Sequence, residues 1–245
     1  MIRIVPLLIL LGCAWALPDQ PPALDARLLP PSWPHPMGTD HLGRDLALRV
    51  LAGSRPTIEA LAAALIMVVC TGLPLGLLGA TRLGAPARFA MGLLLAMPGL
   101  LLAIIAAGVA GGLPPWLAGL ALGLPAAGQA GLLTAELGAR ALAEPHARAA
   151  VALGASLPRV LRRHVLPDLR APLLDWAAAR LPRLALGYAG FVFLGLGADL
   201  GTPDWGVMVW EHRTHALDAP WLLVAPALGM AALALSLRSG LRALR

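Results

Sequence analysis

The residues that could do chemistry are few and scattered in this sequence. His212 and His215 form an H-x-x-H pair beside Glu211, and this spacing can place two imidazoles on one helix face, where they bind a metal ion. One isolated pair is weak evidence, so the sequence predicts no metal ligand. It also contains no nucleophile accompanied by a base and an orienting group, and no carboxylate pair at a catalytic spacing. We therefore predict no catalytic residue.

Arginine carries all of the positive charge. The chain has no lysine, which excludes a phosphate-binding loop of the G-x-x-x-x-G-K type. Arg180 and Arg183 lie near or within an apolar run, with Asp175 as an imperfect helical partner. A charge at membrane depth is costly unless it snorkels, pairs or faces water. Two interpretations stay open: these arginines mark the cytoplasmic end of a helix, or they line a path for an anionic solute.

Composition places the chain in a membrane. Of its 245 residues, 58% are hydrophobic and 13% are charged, and the mean hydropathy is +0.76; soluble domains carry about 25% charged residues. The net charge of +6 does not indicate a nucleic-acid-binding domain, because the arginines lie between apolar runs. We expect an all-α, polytopic bundle of about six transmembrane helices. The apolar stretches lie near residues 4 to 17, 58 to 80, 89 to 111, 116 to 135, 172 to 197 and 219 to 237.

The arginines also orient this bundle. If the N-terminus is cytoplasmic, twelve arginines fall on the inner side and five on the outer side, which is the excess that the positive-inside rule describes. We therefore expect both termini in the cytoplasm, a cytoplasmic loop at 136 to 171 and outer loops at 18 to 57 and 198 to 218. Residues 1 to 17 also resemble a cleaved signal peptide. The five further apolar spans favour a retained first span.

The cytoplasmic loop contains the string "ARAAVALGASLPRVLRRHVLP", residues 147 to 167. Gly154 is suited to end a first short helix. Ser156 then suits the N-cap of a second helix, and Pro167 predicts its end. Ala149, Ala150 and Gly154 give a surface nearly free of side chains. Arg159, Arg162 and Arg163 follow at helical spacing and predict a basic face, which by itself also fits a role in topology and in binding lipid headgroups.

The outer segment before the second span predicts another short helix. Thr39 or Asp40 can cap it, and Asp45 and Arg49 can pair at i, i+4. Its apolar side would carry Leu42, Leu46 and Val50. We expect an amphipathic helix that lies at the outer membrane interface.

Three separated segments resemble one known family. Ala149, Ala150, Gly154, Leu166 and Pro167 match the E-A-A-x-x-x-G pattern, followed by ten residues and x-L-P, of permease subunits in binding-protein-dependent ABC importers. The longer string "ALGASLPRVLRRHVLPD" resembles the C-type permease of the dipeptide, oligopeptide and nickel branch.

The other two segments lie on the outer side. The string "GTDHLGRDLALRVLAGSRPT" is similar to a motif of the branch before the second span, with matches that include Gly38, Thr39, Asp40, Gly43, Arg44, Asp45 and Arg49. The string "FLGLGADLGTPDWGVMVWEHR" resembles the motif after the fifth span. The resemblance implies that this outer loop, with Pro203, Trp205, Gly206 and Met208, lies near a binding protein.

The resemblance implies a type I ABC importer permease fold in a bacterial inner membrane. Residues 1–57 would form the first transmembrane helix and the outer amphipathic segment. Residues 58–245 would form the permease domain, with a coupling helix between spans four and five. The ATPase-docking residues would be Arg148, Ala149, Ala150, Gly154, Ala155, Ser156, Arg159, Leu166 and Pro167.

The same resemblance implies the partners. They are a paralogous B-type permease subunit, two ABC ATPase subunits, an extracytoplasmic solute-binding protein and the lipid bilayer, with no nucleic acid. The chain would bind no cofactor, and ATP would be used by the ATPase subunits. The solute would be a peptide or a nickel or metal-chelate species.

Two residues depart from the pattern of the family. Arg148 occupies the position of the motif glutamate and reverses a charge on the docking surface, while Glu144 lies one turn earlier. Tyr188 occupies a position where the fifth span often carries an acid. We predict Arg183 and Tyr188 as candidates for lining the solute path.

A different class of function remains as the alternative, either a stand-alone ion-coupled transporter or a membrane-embedded enzyme. Such a protein needs acids or histidines within its spans. The candidate acids Glu59, Glu136 and Asp175 lie near the span ends. The sequence therefore favours the importer subunit.

Overall fold

The computed structural model describes residues 15, 17, 20–81, 84–197 and 202–243. This part of the chain consists of α-helices with short 3-10 and π-helical segments and connecting loops, and it contains no β-strand, which confirms the all-α prediction. The helices are α1 (Leu46–Ala52), α2 (Ser54–Met67), α3 (Leu73–Gly79), α4 (Ala85–Ala96), α5 (Gly99–Ala110), α6 (Pro115–Ala143), α7 (Pro145–Ala152), α8 (Leu157–Val160), α9 (Leu166–Phe193), α10 (Trp205–His212) and α11 (Trp221–Ala243).

The first long helical segment joins α1, α2 and α3 into one rod of 34 residues, Leu46–Gly79. A π-helical turn, Val68–Gly72, lies between α2 and α3, and Pro74 follows it in the first turn of α3. Proline lacks an amide hydrogen, and its ring presses on the carbonyl four residues earlier. The wider π-turn relieves this pressure. The rod therefore continues through Pro74.

The predicted third span is bent. Helices α4 and α5 are each 12 residues long and meet at an angle of 78°. Met97 and Pro98 form the break, with extended ψ angles of 122° and 117°. The residue before a proline disfavours helical angles. The expected continuous helix at 89 to 111 is therefore corrected to two helices.

Helix α6 is the centre of the bundle and packs against α2, α3, α4, α5 and α9. Glycine makes these approaches possible. A Cβ atom at Gly119 would lie 2.1 Å from the carbonyl oxygen of Ala60, and one at Gly128 would lie 2.6 Å from that of Met91. Close backbone contact through small residues is typical of packing between membrane helices.

The described residues contain three helices that are long and apolar enough to cross a membrane. These are Leu46–Gly79, Pro115–Ala143 and Trp221–Ala243, and the bent pair α4 and α5 raises the number to four. The predicted first span, 4 to 17, lies outside the described residues except for Trp15 and Leu17. The predicted fifth span corresponds to α9, whose arginines and prolines lower its hydropathy. The total of six spans stays a prediction.

The expected amphipathic helix of the outer segment is different in the structure. Helix α1 begins at Leu46, and its N-cap is Asp45, which accepts a hydrogen bond from the amide of Leu48 at 3.2 Å. Neither Thr39 nor Asp40 caps it. Leu46 and Val50 pack in the main hydrophobic core with Trp205 and Leu222. The segment is therefore the buried first turns of the long rod, since its apolar side faces protein.

Candidate functional site

The arginine-rich element, defined here as residues 144–166, projects between α6 and α9. Helix α7 ends at Ala152, and Gly154, two residues later, has a φ of +84°. The amide of Gly154 donates to the carbonyl of Val151 at 2.9 Å, and the amide of Ala155 donates to that of Ala150 at 3.0 Å. This pair of bonds is the Schellman motif, which satisfies the last carbonyls of a helix. It confirms the predicted helix end.

The second helix of the element begins as predicted and ends elsewhere. Ser156 is the N-cap residue of α8, with extended angles but without a side-chain hydrogen bond. A π-turn, Leu161–Val165, then leads directly into α9. Pro167 lies in the first turn of α9, so the prediction that it stops the helix is wrong. The helix continues through Pro167 as it does through Pro74, because a π-turn just before the proline relieves the clash between its ring and the preceding turn.

Buried side chains seat the element on the bundle. Ala147, Val160 and Val165 are fully buried. Val165 packs with Ala141 and Leu169, at the end of α6 and the start of α9. The rings of His146 and His164 lie 5.5 Å apart and join α7 to the π-turn. The element is therefore attached through its own core, so that a force applied to its surface reaches α6 and α9.

The outer surface of the element is exposed. The predicted docking residues Arg148, Ala149, Gly154, Ser156 and Arg159 are all exposed, while Ala150 and Ala155 are half-buried. Leu166 is 39% exposed, and Pro167 is exposed. Each of the predicted docking residues is therefore at least partly accessible, and their role in docking stays a prediction.

The sequence prediction missed two residues of this surface. Leu153 is 89% exposed and Val151 is 53% exposed, beside the turn at Gly154. Exposed aliphatic side chains of this kind can take part in an interaction surface. The sequence did not single them out, because the same loop contains other apolar residues, such as Val160 and Val165, that are buried.

On the predicted outer side, the two outer motifs are joined by a group of four charged residues, Asp40, Arg44, Arg49 and Glu211, called here the Asp40 cluster. Both oxygens of Asp40 are used: Oδ1 accepts from the amides of Leu42 and Arg44 at 2.8 and 2.9 Å, and Oδ2 accepts from Nε of Arg44 at 2.8 Å. Arg49 lies 3.5 Å from Asp40 and 3.6 Å from Glu211. The predicted pair of Asp45 with Arg49 is therefore wrong. Asp45 instead bonds to His35 at 2.8 Å.

The electrostatics of this cluster favour the ionised carboxylate. Burial acts to raise the pKa of Asp40, but hydrogen bonds from Arg44 and the charges of Arg44 and Arg49 outweigh it, so that the pKa is lowered. Asp40, Arg44 and Arg49 are all buried. The two arginines of the motif are thus structural ion-pair partners.

Two glycines of this motif have conformations that other residues resist. Gly38 and Gly43 both have a φ of +79°. A Cβ atom at Gly43 would lie 1.7 Å from the carbonyl oxygen of Ala23, and one at Gly38 would lie 2.6 Å from that of Leu29. Thr39 is buried between them and accepts a hydrogen bond from the amide of Leu29 at 2.8 Å. These residues fold the preceding loop onto the motif.

The second outer motif is built around Asp204. Its carboxylate caps α10 by accepting from the amide of Gly206 at 2.8 Å, and it also accepts from the hydroxyl of Tyr188 at 2.7 Å. Burial raises the pKa of Asp204, against the effect of these bonds. Tyr188 is buried within the chain, whereas Arg183, the other candidate for lining the solute path, is exposed. Helix α9 has no acid at position 188, and its tyrosine instead contacts Asp204 on the following loop.

The predicted contact residues of this motif face inward. Trp205 is 2% exposed and Met208 is fully buried. Gly206 is buried, and a Cβ atom there would lie 2.6 Å from the carbonyl oxygen of Ala189, so that α10 approaches α9 closely. Pro203 is half-buried. Trp205, Gly206 and Met208 thus hold α10 against the bundle, and the position of this loop near a binding protein stays a prediction.

The H-x-x-H pair does not come together. His212 is fully buried, and its Nε2 lies 3.1 Å from Nδ1 of His41, while its predicted companion His215 does not join this contact. Burial and the neighbouring His41 lower the pKa of His212 to about 4, and burial lowers the pKa of His41. Both imidazoles are therefore neutral at neutral pH. His41 could not be linked to His212 from the sequence, since 171 positions separate them.

A groove between α9 and α11 contains two arginines. It has a volume of about 290 Å³ and is lined by Ala178, Ala179, Pro182, Arg183, Ala234, Leu235 and Arg238. Arg183 and Arg238 are exposed, whereas Arg180 is half-buried on the same helix. The groove can hold a small group, and its two guanidinium groups favour a negative one.

Comparison with known proteins agrees with this architecture. Residues 55–245 match the family described as binding-protein-dependent transport system inner membrane component. The probable D,D-dipeptide transport system permease protein DdpC of Escherichia coli strain K12 is 30% identical, over 92% of this chain and 77% of the relative. The nickel transport system permease protein NikC of the same strain is 33% identical, over 91% and 82%. The peptide transport system permease protein SapC of Escherichia coli O6:H1 is 32% identical, over 83% and 71%.

The family match covers most of the chain, and the relatives align along most of their own length, so the predicted resemblance is confirmed. Members of this family are transport components, and a separate subunit hydrolyses ATP. The chain therefore belongs to the binding-protein-dependent transport system inner membrane components and is a multi-pass permease subunit of an ABC importer.

Proposed function

We propose that this chain forms half of the translocation path of an importer, beside a paralogous B-type permease subunit. Two ABC ATPase subunits would bind on the cytoplasmic side, and an extracytoplasmic binding protein would deliver the solute on the other. The family supports an ATPase and a binding-protein partner in general. The B-type partner and the number of ATPases follow from the resemblance of the three motifs to the C-type permease. The proposal includes no cofactor on this chain, and ATP is used by the ATPases.

We further propose that the arginine-rich element is the coupling element of the subunit. The observation that carries this proposal is its build: an exposed surface with Leu153 and Val151, seated on the bundle by the buried Val160 and Val165. Closure of the ATPase pair on ATP would displace this surface. The helices α6 and α9 would follow, because they hold the element. The bundle would then move between inward-facing and outward-facing states whose populations depend on nucleotide.

The proposed orientation places both termini in the cytoplasm and the Asp40 cluster outside. The positive-inside rule concerns charges that must be translocated. The sequence has twelve arginines on the predicted inner side against five on the predicted outer side, and this excess supports the proposed orientation.

The proposed solute is a peptide or a metal complex. The relatives are named for transport of D,D-dipeptides, nickel and peptides. Within this range, the groove beside Arg183 and Arg238 supports a solute that carries a carboxylate or another anionic group. The rival interpretation, in which Arg183 snorkels to lipid headgroups, predicts no dependence of uptake on the charge of the solute.

The experiment is reconstitution. The chain is co-expressed with the B-type permease and ATPase subunits encoded beside it, purified through a tag on this chain alone, and placed in proteoliposomes with the binding protein for an uptake assay. We expect a four-part complex that accumulates solute only with ATP. Uptake by this chain without ATPase subunits would overturn the proposal and favour a stand-alone transporter.

A further inference from the structure

The contact between His41 and His212 has the geometry of a metal site. Nδ1 of His41 and Nε2 of His212 are 3.1 Å apart. Two nitrogen ligands at about 2.05 Å from a tetrahedral metal ion are separated by about 3.3 Å. The observed separation therefore suits either a hydrogen bond or joint ligation, with a shift of a few tenths of an ångström between them.

A carboxylate completes a third position. One carboxylate oxygen of Asp40 and one nitrogen each of His41 and His212 all lie within 4.8 Å of one another. Among the described residues, this is the group of three or more His, Cys, Asp or Glu side chains that meets this distance. Asp40 and His212 are fully buried and His41 is half-buried. Two imidazoles and one carboxylate form a donor set typical of zinc, and imidazole also suits nickel and copper.

The charges around the group permit a divalent cation. Arg44 and Arg49 would repel it, but Asp40 and Glu211 balance them. Oδ2 of Asp40 accepts a hydrogen bond from Nε of Arg44 at 2.8 Å and lies 3.5 Å from Arg49. A metal ion at this oxygen would take the place of the longer contact, the one with Arg49. The half-buried ring of His41 marks the side open to entry.

We propose that Asp40, His41 and His212 bind a divalent transition-metal ion of the imidazole-binding class on the outer side of this permease subunit. His41 and His212 are the direct nitrogen ligands, Asp40 supplies the oxygen, and water completes the shell. The ion would join the loop before α1 to the C-terminal end of α10. The site differs from the H-x-x-H pair of the sequence, because His215 takes no part. The inference does not depend on the identity of the solute.

Zinc binding by the purified full-length chain in its permease complex tests this proposal. A histidine-free affinity tag is used, the sample is stripped with a chelator, and Zn²⁺ is titrated with a competing dye. Co²⁺ serves as a second probe because its visible absorption reports ligand geometry. We expect one Zn²⁺ per chain. His41→Gln and His212→Gln should weaken binding at least about 100-fold, since loss of even outer-shell partners costs 10- to 100-fold.

His215→Gln is the matched control, because His215 lies three residues from His212 and outside the cluster. It should keep wild-type binding. Absence of stoichiometric Zn²⁺ in the wild type would overturn the proposal, as would a loss in His215→Gln that His212→Gln does not show. If His212→Gln fails to fold, the half-buried His41→Gln decides. A monodisperse His41→Gln complex that retains wild-type affinity contradicts the site.

Discussion

The indole nitrogen of Trp205 donates a hydrogen bond of 2.7 Å to the backbone carbonyl of Val50, across 155 positions of sequence. This bond joins the two outer motifs, which look unrelated in the sequence. Beside it, Gly229 admits the indole ring, since a Cβ atom there would lie 3.0 Å from Nε1 of Trp205. The start of the long rod, helix α10 and helix α11 thus share one anchor.

Removal of that bond should loosen the anchor. Trp205→Phe keeps an aromatic ring and deletes the donor, which should cost about 1 kcal/mol in the free energy of unfolding. Trp210→Phe is the control on the same helix, because its ring contacts the exposed Arg213 in a cation–π pair at the surface. Thermal unfolding of the purified complex in detergent measures both. Equal melting temperatures for the two variants would contradict the role of the bond.

Neutralising Asp40 should lower the stability of the folded complex more than neutralising Asp45 does. Asp40→Asn leaves the buried Arg44 and Arg49 without one of their carboxylates, a change that costs about 3 to 5 kcal/mol when a buried pair is broken. Asp45→Asn affects a half-buried bond to His35 and should cost about 1 kcal/mol or less. Yields of folded complex and melting temperatures compare the two. A milder effect at Asp40 would show that the cluster does not stabilise the fold.

The exposed aliphatic side chains of the arginine-rich element should matter for ATPase binding only. Leu153→Ser removes a side chain that would be buried on docking, so we expect about tenfold weaker binding of the ATPase, as a loss of about 1.4 kcal/mol produces. Leu217→Ser is the control, because Leu217 is 96% exposed on the loop predicted to be outside. Binding is measured with detergent-solubilised permease complex immobilised and the ATPase in solution. Equal affinity for Leu153→Ser and wild type would exclude the leucine from the contact.

The groove between α9 and α11 should select for charge. Arg183→Gln and Arg238→Gln should each lower uptake of an anionic peptide about tenfold more than uptake of its amidated, uncharged form, because a charge-assisted bond is lost. Arg180→Gln, on the same helix but outside the lining, is the control. ATP-driven uptake into proteoliposomes compares the two peptides. Equal losses for both peptides would favour the interpretation in which these arginines contact lipid.

The sequence predicted local features well where one residue type determines the backbone. Gly154 is an example, because only its positive φ allows the turn that ends α7. The family motifs also predicted the family to which the chain belongs. The same local reasoning failed at Pro167, because a proline is compatible with a continuing helix once a π-turn precedes it, and no residue type in the sequence announces that turn.

Partners in the buried clusters could not be predicted from spacing. Asp45 and Arg49 stand at the helical spacing for an ion pair, yet Arg49 pairs with Asp40 and Glu211. The tertiary fold decides this, since Asp45 is used as the N-cap of α1. His212 likewise finds His41 and not His215. The packing of α10 against the start of the rod brings His212 to His41 and Glu211 to Arg49. The spacing of these residues in the sequence does not predict these contacts.

The most direct test of the central claim compares two glycine variants in ATPase binding. Gly154 and Gly111 both have a left-handed backbone, with φ of +84° and +73°, and open space where a Cβ atom would stand. Gly154→Arg and Gly111→Arg therefore share the same backbone strain, of about 1 to 2 kcal/mol. They differ in position, since Gly111 lies on the side predicted to be outside.

If the arginine-rich element couples the ATPase to transport, the purified Gly154→Arg complex loses the ATPase and the Gly111→Arg complex retains it. Retention by both variants, or an equal loss from both, would contradict the account.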